Sequence, residues 1–373
     1  MLVDSFGRTI DYLRISVTDR CNFRCVYCMP ESGADIAPRD EILTFEEIGR
    51  LARIAADLGI RKVRITGGEP LVRKDIVKLV EMIGNINQFS DISLTTNGFL
   101  LAGLASDLHK AGLNRVNVSL DTLHPDRFKA IARRGNLSEV MAGIETAENV
   151  GMVPMKINCV VMRGQNDDEV AAFAEKSVTA GWHVRFIELM PINWSSGDGE
   201  PIIPGWSGDK GTQAPITLYA NTQSTSMSML RDALGTTSGM LNALDMRNKF
   251  VSSAESRQRI EAELGPLVPA TVITNGPART FRIPGATGTV GFISQISNDF
   301  CKNCNRLRLT ADGQLRPCLM ADGEVDLKTP LRSGASDEDI ADLFRMTVFH
   351  KPFEHRLEDG LAPTGRGMSR LGG

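Results

Sequence analysis

Six of the seven cysteines are the residues of this chain best suited to chemistry. They fall into two triplets near opposite ends of the sequence: Cys21, Cys25 and Cys28, then Cys301, Cys304 and Cys318. In a long cytosolic chain, such clusters indicate metal or redox sites rather than disulfide bonds, because the compartment keeps thiols reduced. Three thiolates on a short loop can hold three irons of a [4Fe–4S] cluster, which leaves the fourth iron open to a small molecule.

Zinc is the alternative occupant of either triplet. Structural zinc sites use four protein ligands, and no histidine or further cysteine lies near the first triplet to complete the set. By spacing alone, the second triplet leaves open both a zinc ribbon short of one ligand and an iron–sulfur cluster. The seventh cysteine, Cys159, lies in an apolar run and is predicted to be a buried core thiol.

Alternating strand-like and helix-like segments must position the first triplet. The strand candidates are Tyr12–Val17, Lys62–Thr66, Ile92–Thr96, Arg115–Leu120, Met155–Val161 and Val184–Leu189. A capping box at Thr44 to Glu47 predicts a helix that ends near Gly59, and Leu101–Ala111 and Asp167–Ala180 are two further helix candidates. Six βα units predict an α/β fold, an incomplete TIM-type barrel with outer helices and chemistry at the carboxyl ends of its strands.

The pattern changes after residue 194. The segment 195–248 is rich in Ser, Thr, Gly and Met and poor in charge, which favours a surface excursion over a functional lid. We therefore predict three regions: a barrel over 1–194, an atypical insertion over 195–248, and a C-terminal α+β region over 249–373 that closes the open side of the barrel.

The C-terminal region carries its own local signals. They predict a helix from Ser252 to Leu264, strands at Thr280–Ile283 and Thr289–Ile293, a hairpin of Arg306–Leu309 with Gln314–Pro317 around Asp312-Gly313, a helix over Asp337–Phe349, and an unstructured end over Gly360–Gly373.

Composition excludes several function classes. The 373 residues include 42 Lys and Arg against 45 Asp and Glu, a net charge of −3, so there is no electrostatic footprint for nucleic acid or a membrane surface. No window reaches eighteen consecutive apolar residues, and Met1–Ser16 has no secretory or transit pattern. We therefore expect no membrane span and a cytoplasmic location.

The first triplet, with Tyr27 before its last cysteine, resembles the radical S-adenosylmethionine (SAM) superfamily, as does Gly67-Gly68-Glu69-Pro70 after the second strand. The resemblance implies that SAM binds the open iron and is cleaved to a 5′-deoxyadenosyl radical. It also implies four SAM contacts: Tyr27, Gly68, Ser119 and Met190.

The segment from Asn298 to Gly313 resembles the GTP 3′,8-cyclase family, as do Gly276 to Arg279, Gly285 to Ser294 and the ending Met368 to Gly373. The resemblance implies a second [4Fe–4S] cluster whose open iron holds guanine, and cyclisation of GTP to (8S)-3′,8-cyclo-7,8-dihydroguanosine 5′-triphosphate, the first step of molybdenum cofactor biosynthesis. The implied partners are a cyclic pyranopterin monophosphate synthase downstream, a low-potential electron donor and, in a homodimer, a second copy of the chain.

The same resemblance assigns the remaining site residues. The GTP contacts would be Arg14, Arg64, Thr95, Lys156, Arg306, Leu307 and Arg308. The catalytic residues would be Arg14, Lys156, Gly372 and Gly373. The two glycines are included because a Gly-Gly end has no side chains and can enter a narrow cavity. Cations inside apolar strands suit a triphosphate better than a solvated charged face. A radical SAM peptide maturase and an inactive iron–sulfur or nucleotide-binding paralogue are the alternative functions.

Overall fold

A computed structural model of the chain describes residues 1–190, 192, 247–270, 276–298, 300–355, 357 and 366–372. A small antiparallel hairpin comes first, formed by β1 (Leu2–Val3) and β2 (Thr9–Ile10). The six predicted barrel strands follow and pair in parallel in chain order: β3 (Tyr12–Ser16), β4 (Lys62–Thr66), β5 (Asp91–Thr96), β6 (Arg115–Ser119), β7 (Lys156–Val161) and β8 (His183–Glu188). Each predicted strand is confirmed to within one residue at either end.

Helices cover the strands on the way along the chain. They are α1 (Phe45–Asp57), α2 (Ile76–Gly84), α3 (Ala105–Lys110), α4 (Pro125–Ala132), α5 (Leu137–Asn149) and α6 (Val170–Thr179). The predicted capping box of α1 is confirmed, because Thr44 Oγ1 accepts from the Glu47 N–H at 3.2 Å and Glu47 accepts in return from the Thr44 N–H. Helix α1 buries Ile48, Leu51 and Ala55 at helical spacing, the pattern of a helix packed on a sheet by one face.

Two predicted helix starts are wrong. Helix α3 begins at Ala105 rather than Leu101, because the preceding residues form turns closed by Leu101 N–H to Gly98 O and Leu104 N–H to Leu101 O. Helix α6 begins at Val170 rather than Asp167. The Asp167 carboxylate instead accepts from the Gly164 N–H at 2.6 Å, and this local bond holds a turn ahead of the helix.

The C-terminal part of the chain extends the same sheet at both edges. Its elements are α7 (Ser253–Leu264), β9 (Val268–Pro269), β10 (Arg279–Arg282), β11 (Thr289–Ile293), β12 (Arg306–Leu309), β13 (Gln314–Arg316), β14 (Val325–Asp326), α8 (Lys328–Arg332), α9 (Asp337–Phe349) and α10 (Met368–Leu371). Strand β11 pairs in parallel with β8, and β12 pairs in parallel with β3. Eight neighbouring strands are therefore parallel in a twelve-stranded sheet, which makes the fold an incomplete α/β barrel with added C-terminal strands.

Of the secondary-structure predictions for the C-terminal part, some are confirmed and one is wrong. The hairpin of β12 and β13 is confirmed, with Gly313 in its turn at φ +84°, a conformation that glycine adopts at little cost. The unstructured end is wrong at Met368–Leu371, which forms α10. Residues 360–365 and Gly373 lie outside the described residues, as does the segment 195–248 apart from its last two residues, and the division into three regions stays a prediction.

Apolar residues of the strands and helices form a buried core between the sheet and its outer helices. Ile15, Ile65, Leu94 and Val118 of the central strands are fully or almost fully buried. Within the described ranges, no helix combines the length and the apolarity needed to cross a membrane.

Candidate active site

Both cysteine triplets line one cavity of about 690 Å³. None of these six cysteines forms a disulfide bond with another described residue. The cavity wall also includes residues that follow the carboxyl ends of several strands, among them Gly68 after β4, Asn97 after β5 and Met190 after β8. The reactive end of a parallel barrel is therefore where the first triplet lies, as the sequence predicted.

The glycine pair after β4 packs against the backbone that leads into the first triplet. The Gly68 N–H donates to Thr18 O at 2.7 Å, and the Glu69 N–H donates to Arg20 O at 2.8 Å. A Cβ on Gly68 would lie 2.4 Å from Arg20 O, closer than real atoms come. Glycine is therefore needed at position 68 for close approach to the cysteine loop, a reason separate from the SAM contact that the resemblance implies.

Glu69 ties this glycine turn to the loop after β5. Its buried carboxylate accepts from Thr96 Oγ1 at 2.8 Å, from the Leu71 N–H at 2.9 Å and from the Asn97 N–H at 2.6 Å. Burial raises the pKa of Glu69 to about 7, although these three donors act to lower it. The sequence motif contained Glu69 without giving it this role.

The first triplet fits an iron–sulfur cluster by ligand type. Burial raises the pKa of Cys21 to about 11 and that of Cys28 to about 12, so ligation requires proton release, as for any thiolate ligand. The Phe23 N–H points at Cys21 Sγ at 3.4 Å, and hydrogen bonds to sulfur are one means of tuning a cluster's potential. Among the described residues, no three His, Cys, Asp or Glu side chains are grouped as a single metal ion would need.

The second triplet is assembled from two short backbone stretches. Cys301 opens a 3-10 turn, Cys304 ends it ahead of β12, and Cys318 follows β13. The Met320 N–H donates to Cys318 Sγ at 3.3 Å, as Phe23 does in the first triplet. Burial acts to raise the pKa of Cys304, but the Lys351 ammonium beside it brings that pKa below its ordinary value. A lowered thiol pKa favours the thiolate that a cluster ligand must be.

A group of cations, here called the cation patch, lines the same cavity. It consists of Arg14, Arg64, Lys156, Arg185, Arg306 and Arg308. Strand register places Arg308, Arg14 and Arg64 side by side on β12, β3 and β4. Since neighbouring residues of parallel strands point to the same face, their charges accumulate there.

Four of the six cations in the cation patch have no ion-pair partner among the described residues. Within the described part of the chain, Arg64, Lys156, Arg185 and Arg308 have no carboxylate within ion-pair distance. Burial, with Arg115 and Arg185 nearby, lowers the pKa of Lys156 to about 7, and burial with Arg306 nearby lowers that of Arg308 to about 10. Such crowding of buried like charges is unfavourable until an anion binds.

Arg185 is a member of the cation patch that the sequence interpretation missed. Its Nε and Nη2 atoms are buried and have no hydrogen-bond partner among the described residues, and burial with Arg64 nearby lowers its pKa to about 9. It lies between the buried Val184 and Phe186. The resemblance assigned Arg14 and Arg64, and their place inside apolar strands supported that assignment. Arg185 lies inside an apolar strand too, so the supporting argument applied to it, although the resemblance did not name it.

The chain's C-terminal end enters the cavity region. Arg14 Nη2 donates to Gly372 O at 3.1 Å, and Arg308 Nη1 donates to it at 3.3 Å. The Ser369 backbone forms a hydrogen bond to the Cys28 thiol. Gly372 has φ +75°, and a Cβ there would lie 3.0 Å from a Thr66 methyl group. The tail thus touches the first triplet and the cation patch at once.

The structure brings most of the predicted site residues together. The cavity wall includes these predicted contacts besides the cysteines and cations: Tyr27, Gly68, Thr95, Ser119 and Met190. Leu307 is the exception, because its side chain is fully buried in the hydrophobic core and faces away from the cavity. The Leu307 contact therefore stays a prediction for its backbone, because β12 alternates and its two arginines take the other face. Gly373 lies outside the described residues.

A partial parallel barrel with a three-cysteine loop after its first strand and a glycine pair after its second is the architecture of a radical SAM enzyme. The second cysteine triplet and the cation patch line the same cavity.

Comparison with known proteins agrees with this class. The family model described as the Radical SAM superfamily matches residues 15–176, and the one described as Molybdenum Cofactor Synthesis C matches residues 238–357. The GTP 3′,8-cyclase of Desulforamulus reducens is 46% identical over 373 residues, which is 100% of both chains. The GTP 3′,8-cyclase of Moorella thermoacetica is 44% identical, with 99% of each chain covered. The chain belongs to the GTP 3′,8-cyclase family.

Proposed function

We propose that this chain converts GTP to (8S)-3′,8-cyclo-7,8-dihydroguanosine 5′-triphosphate with SAM and two [4Fe–4S] clusters, as the first step of molybdenum cofactor biosynthesis. The observation that carries the proposal is one cavity whose wall holds two cysteine triplets without disulfide bonds and a buried cation patch. A site for SAM cleavage alone would need only the first triplet. The second triplet and the cations supply what a nucleotide triphosphate requires.

The first triplet and its surroundings bind SAM in this proposal. Cys21, Cys25 and Cys28 hold the first cluster, and SAM is contacted by residues from four loops: Tyr27, Gly68, Ser119 and Met190. Tyr27 is fixed for this role by its hydroxyl, which donates to the Asp121 carboxylate at 2.8 Å. When bound, the first cluster and SAM supply the 5′-deoxyadenosyl radical that removes the 3′ hydrogen of GTP.

The cation patch binds the triphosphate. Arg14, Arg64, Lys156, Arg306 and Arg308 were expected to do so, and Arg185 joins them because its unpartnered guanidinium faces the same cavity. Guanidinium groups pair bidentately with phosphate oxygens. The bound triphosphate also relieves the repulsion among the buried cations, so its binding is more favourable than the individual phosphate contacts alone would make it.

The remaining residues position the nucleotide. Cys301, Cys304 and Cys318 hold the second cluster, and guanine lies at that end of the cavity. The Thr95 hydroxyl, which has no hydrogen-bond partner among the described residues, contacts the substrate, as does the Leu307 backbone. Arg14 and Lys156, with the Gly372–Gly373 tail, orient the reacting ribose and base. Such orientation contributes several kcal/mol to rate, up to about 7–11 in the best intramolecular cases.

The proposal extends to partners and organisation. A low-potential electron donor reduces the clusters, and a cyclic pyranopterin monophosphate synthase takes the product. The chain works in the cytoplasm, without nucleic acid or membrane, and forms a homodimer. Its working parts are a barrel over 1–194 and a C-terminal region over 249–373, with the segment 195–248 as an insertion.

Anaerobic reconstitution followed by a turnover assay tests the proposal. Wild type should hold about eight iron per chain, and with SAM and GTP it should release 5′-deoxyadenosine together with a cyclised nucleotide. Cys301→Ser should hold about four iron and still cleave SAM, but without the cyclised product. Cys159→Ala, which alters a buried core thiol outside both triplets, is the matched control and should behave as wild type.

Two outcomes would contradict the proposed function. Cleavage of SAM that never yields a GTP-derived product would favour a peptide maturase, and absence of any cleavage in the fully loaded chain would favour an inactive paralogue. Stoichiometric zinc at the second triplet after anaerobic purification would overturn the second cluster.

A further inference from the structure

Two buried cations outside the cation patch contact the backbone that carries the second cysteine triplet. They are Arg8, from the turn between β1 and β2, and Lys351, from the segment just after α9. Arg8 is 9% exposed and Lys351 is 3% exposed. Neither residue belongs to the cavity wall, so neither has a part in binding SAM or GTP. We call the two residues the cationic clamp.

Arg8 joins the two ends of the chain through a single guanidinium. Its Nε pairs with Asp4 Oδ2 at 2.6 Å, which fixes the plane of the group. Its Nη1 donates to Cys301 O at 2.7 Å and to Phe353 O at 2.7 Å, and its Nη2 donates to Pro352 O at 2.7 Å. Four short bonds in fixed directions use the planar fork that arginine has and lysine lacks.

Lys351 holds the backbone that leaves the 3-10 turn of the second triplet and the backbone that precedes Cys318. Its Nζ donates to Arg306 O at 3.0 Å and to Pro317 O. Arg306 lies two residues after Cys304, and Pro317 lies directly before Cys318. The ammonium also forms a hydrogen bond with the Cys304 side chain.

The charge of Lys351 has no acidic partner. In the described ranges no carboxylate lies within 4.0 Å of its Nζ, and all of its contacts are to carbonyl oxygens and a thiol. A buried cation left with neutral partners is costly. Cysteine thiolates that carry a cluster would provide the missing negative charge in that place.

The two cations act on one continuous element. Pro352 and Phe353, whose carbonyls Arg8 holds, follow Lys351 directly in the chain. Arg8 therefore fixes both Cys301 and the segment that carries Lys351, and Lys351 fixes the backbone next to Cys304 and Cys318. Because the triplet comes from separate stretches rather than from one loop, its spacing depends on a support of this kind.

We propose that the cationic clamp, Arg8 with Lys351, positions the three cysteines of the second triplet for their cluster and that Lys351 offsets the negative charge of that cluster. This inference rests on the proposed function, since it takes the second triplet to be a cluster site. Arg8 and Lys351 are positioning residues and touch neither substrate nor SAM.

Cluster retention tests the role of Arg8. Arg8→Lys keeps the charge and loses the fork, and the rate at which a chelator removes the second cluster should rise at least tenfold, while SAM cleavage by the first cluster is unchanged. Arg50→Lys is the matched control. Arg50 also joins distant parts of the chain, through Asp337 Oδ1 at 2.7 Å and Ala335 O at 2.6 Å, but it contacts no cysteine-bearing stretch. It should leave both clusters at their wild-type rates of loss.

The reduction potential tests the charge of Lys351. Lys351→Met removes the charge and keeps the length, so the midpoint potential of the second cluster should move to a more negative value. The potential of the first cluster should not move. The melting temperature of the apoprotein, compared between variants, shows whether a variant has failed to fold. If Lys351 had only a structural role, the midpoint potential of the second cluster would not change in Lys351→Met.

The outcomes separate this inference from the proposed function. If Arg8→Lys loses its second cluster no faster than Arg50→Lys, or if Lys351→Met leaves the potential unchanged, the clamp is overturned and the cyclase function stands. If wild type binds no second cluster, both are overturned.

Discussion

The protonation of Lys156 depends on its burial and on the charges around it in the cavity. Burial and neighbouring arginines lower its pKa to about 7 from the ordinary 10.5. Between these values the unfolded chain binds more protons than the folded chain, so the contribution of Lys156 to the free energy of unfolding rises as pH rises from about 7 towards 10.5. Below pH 7 the lysine is charged in both states and carries its full burial cost.

A proton should accompany GTP binding. A bound phosphate favours the charged lysine, so the affinity for GTP should fall as pH rises from about 7 to about 8.5, by at most about tenfold per pH unit for one linked proton. Titration calorimetry in two buffers of different ionisation enthalpy measures the proton taken up. Lys156→Met should bind more weakly and lose the pH dependence. Lys62→Met, which removes a cavity lysine paired with Asp11 at 3.1 Å, should keep it.

Much of the site at this scale follows from residue type and spacing. The cysteine triplets and the arginines of β3, β4 and β12 were identifiable, because thiols in clusters and cations in apolar strands conflict with an ordinary core. Contacts set by non-local packing were not identifiable. Neither the carbonyls held by Arg8 nor the three donors around Glu69 have any local sequence signal.

At the scale of elements, the end of β4 and the loop after β3 depend on each other. The loop that carries the first triplet is held by the backbone of Gly68 and Glu69, and the space there is filled by backbone alone. In the proposed site, cluster ligation by Cys21 therefore requires a residue without a side chain just after the neighbouring strand β4.

Gly68→Ala tests this dependence. The added methyl would lie 2.4 Å from Arg20 O, so the loop must move, and we expect iron per chain to fall from about eight to about four with SAM cleavage lost. Gly103→Ala is the control, since the nearest atom to its added methyl lies 3.9 Å away. Iron analysis and 5′-deoxyadenosine release measure both effects. Wild-type iron content and SAM cleavage in Gly68→Ala would show that the loop tolerates the displacement.

The elements themselves were predictable where the local pattern is strong. Apolar runs bounded by turn residues located the barrel strands, and capping residues located α1 and α7. The tail helix α10 was not predictable, because four residues have little helical preference of their own. It is stabilised by tertiary contacts such as those of Leu371, which packs with Ile192, Ile296 and Met320.

At the scale of the whole molecule, the segment 195–248 has anchored ends. Ile192 before it and Val251 after it are both buried, at 1% exposure each. Loop length between fixed ends costs little, roughly 0.6 kcal/mol per doubling. The predicted role of the segment therefore depends on its composition, and a segment rich in Ser, Thr and Gly is not expected to contribute to catalysis.

Replacing residues 196–247 with a short Gly/Ser linker should therefore leave both clusters loaded. GTP cyclisation should stay within about tenfold of wild type, a change of less than about 1.4 kcal/mol in the barrier. Iron analysis and product formation under saturating GTP measure the two quantities. Continued SAM cleavage with no cyclised product would instead show that the segment covers the substrate.

The pairing of β12 with β3 and of β11 with β8 has a consequence for how the protein is made. Strands β3 and β8 are the two edges of the six-stranded barrel sheet. Their partners β12 and β11 lie in the last quarter of the chain and are therefore synthesised last. Until then two sheet edges present unpaired N–H and C=O groups, which invite pairing with other nascent chains. Contacts so distant in sequence also form slowly. A fragment that stops at residue 190 should therefore aggregate when expressed alone, and in the cell the interval before residue 309 emerges is when chaperones matter most for this enzyme.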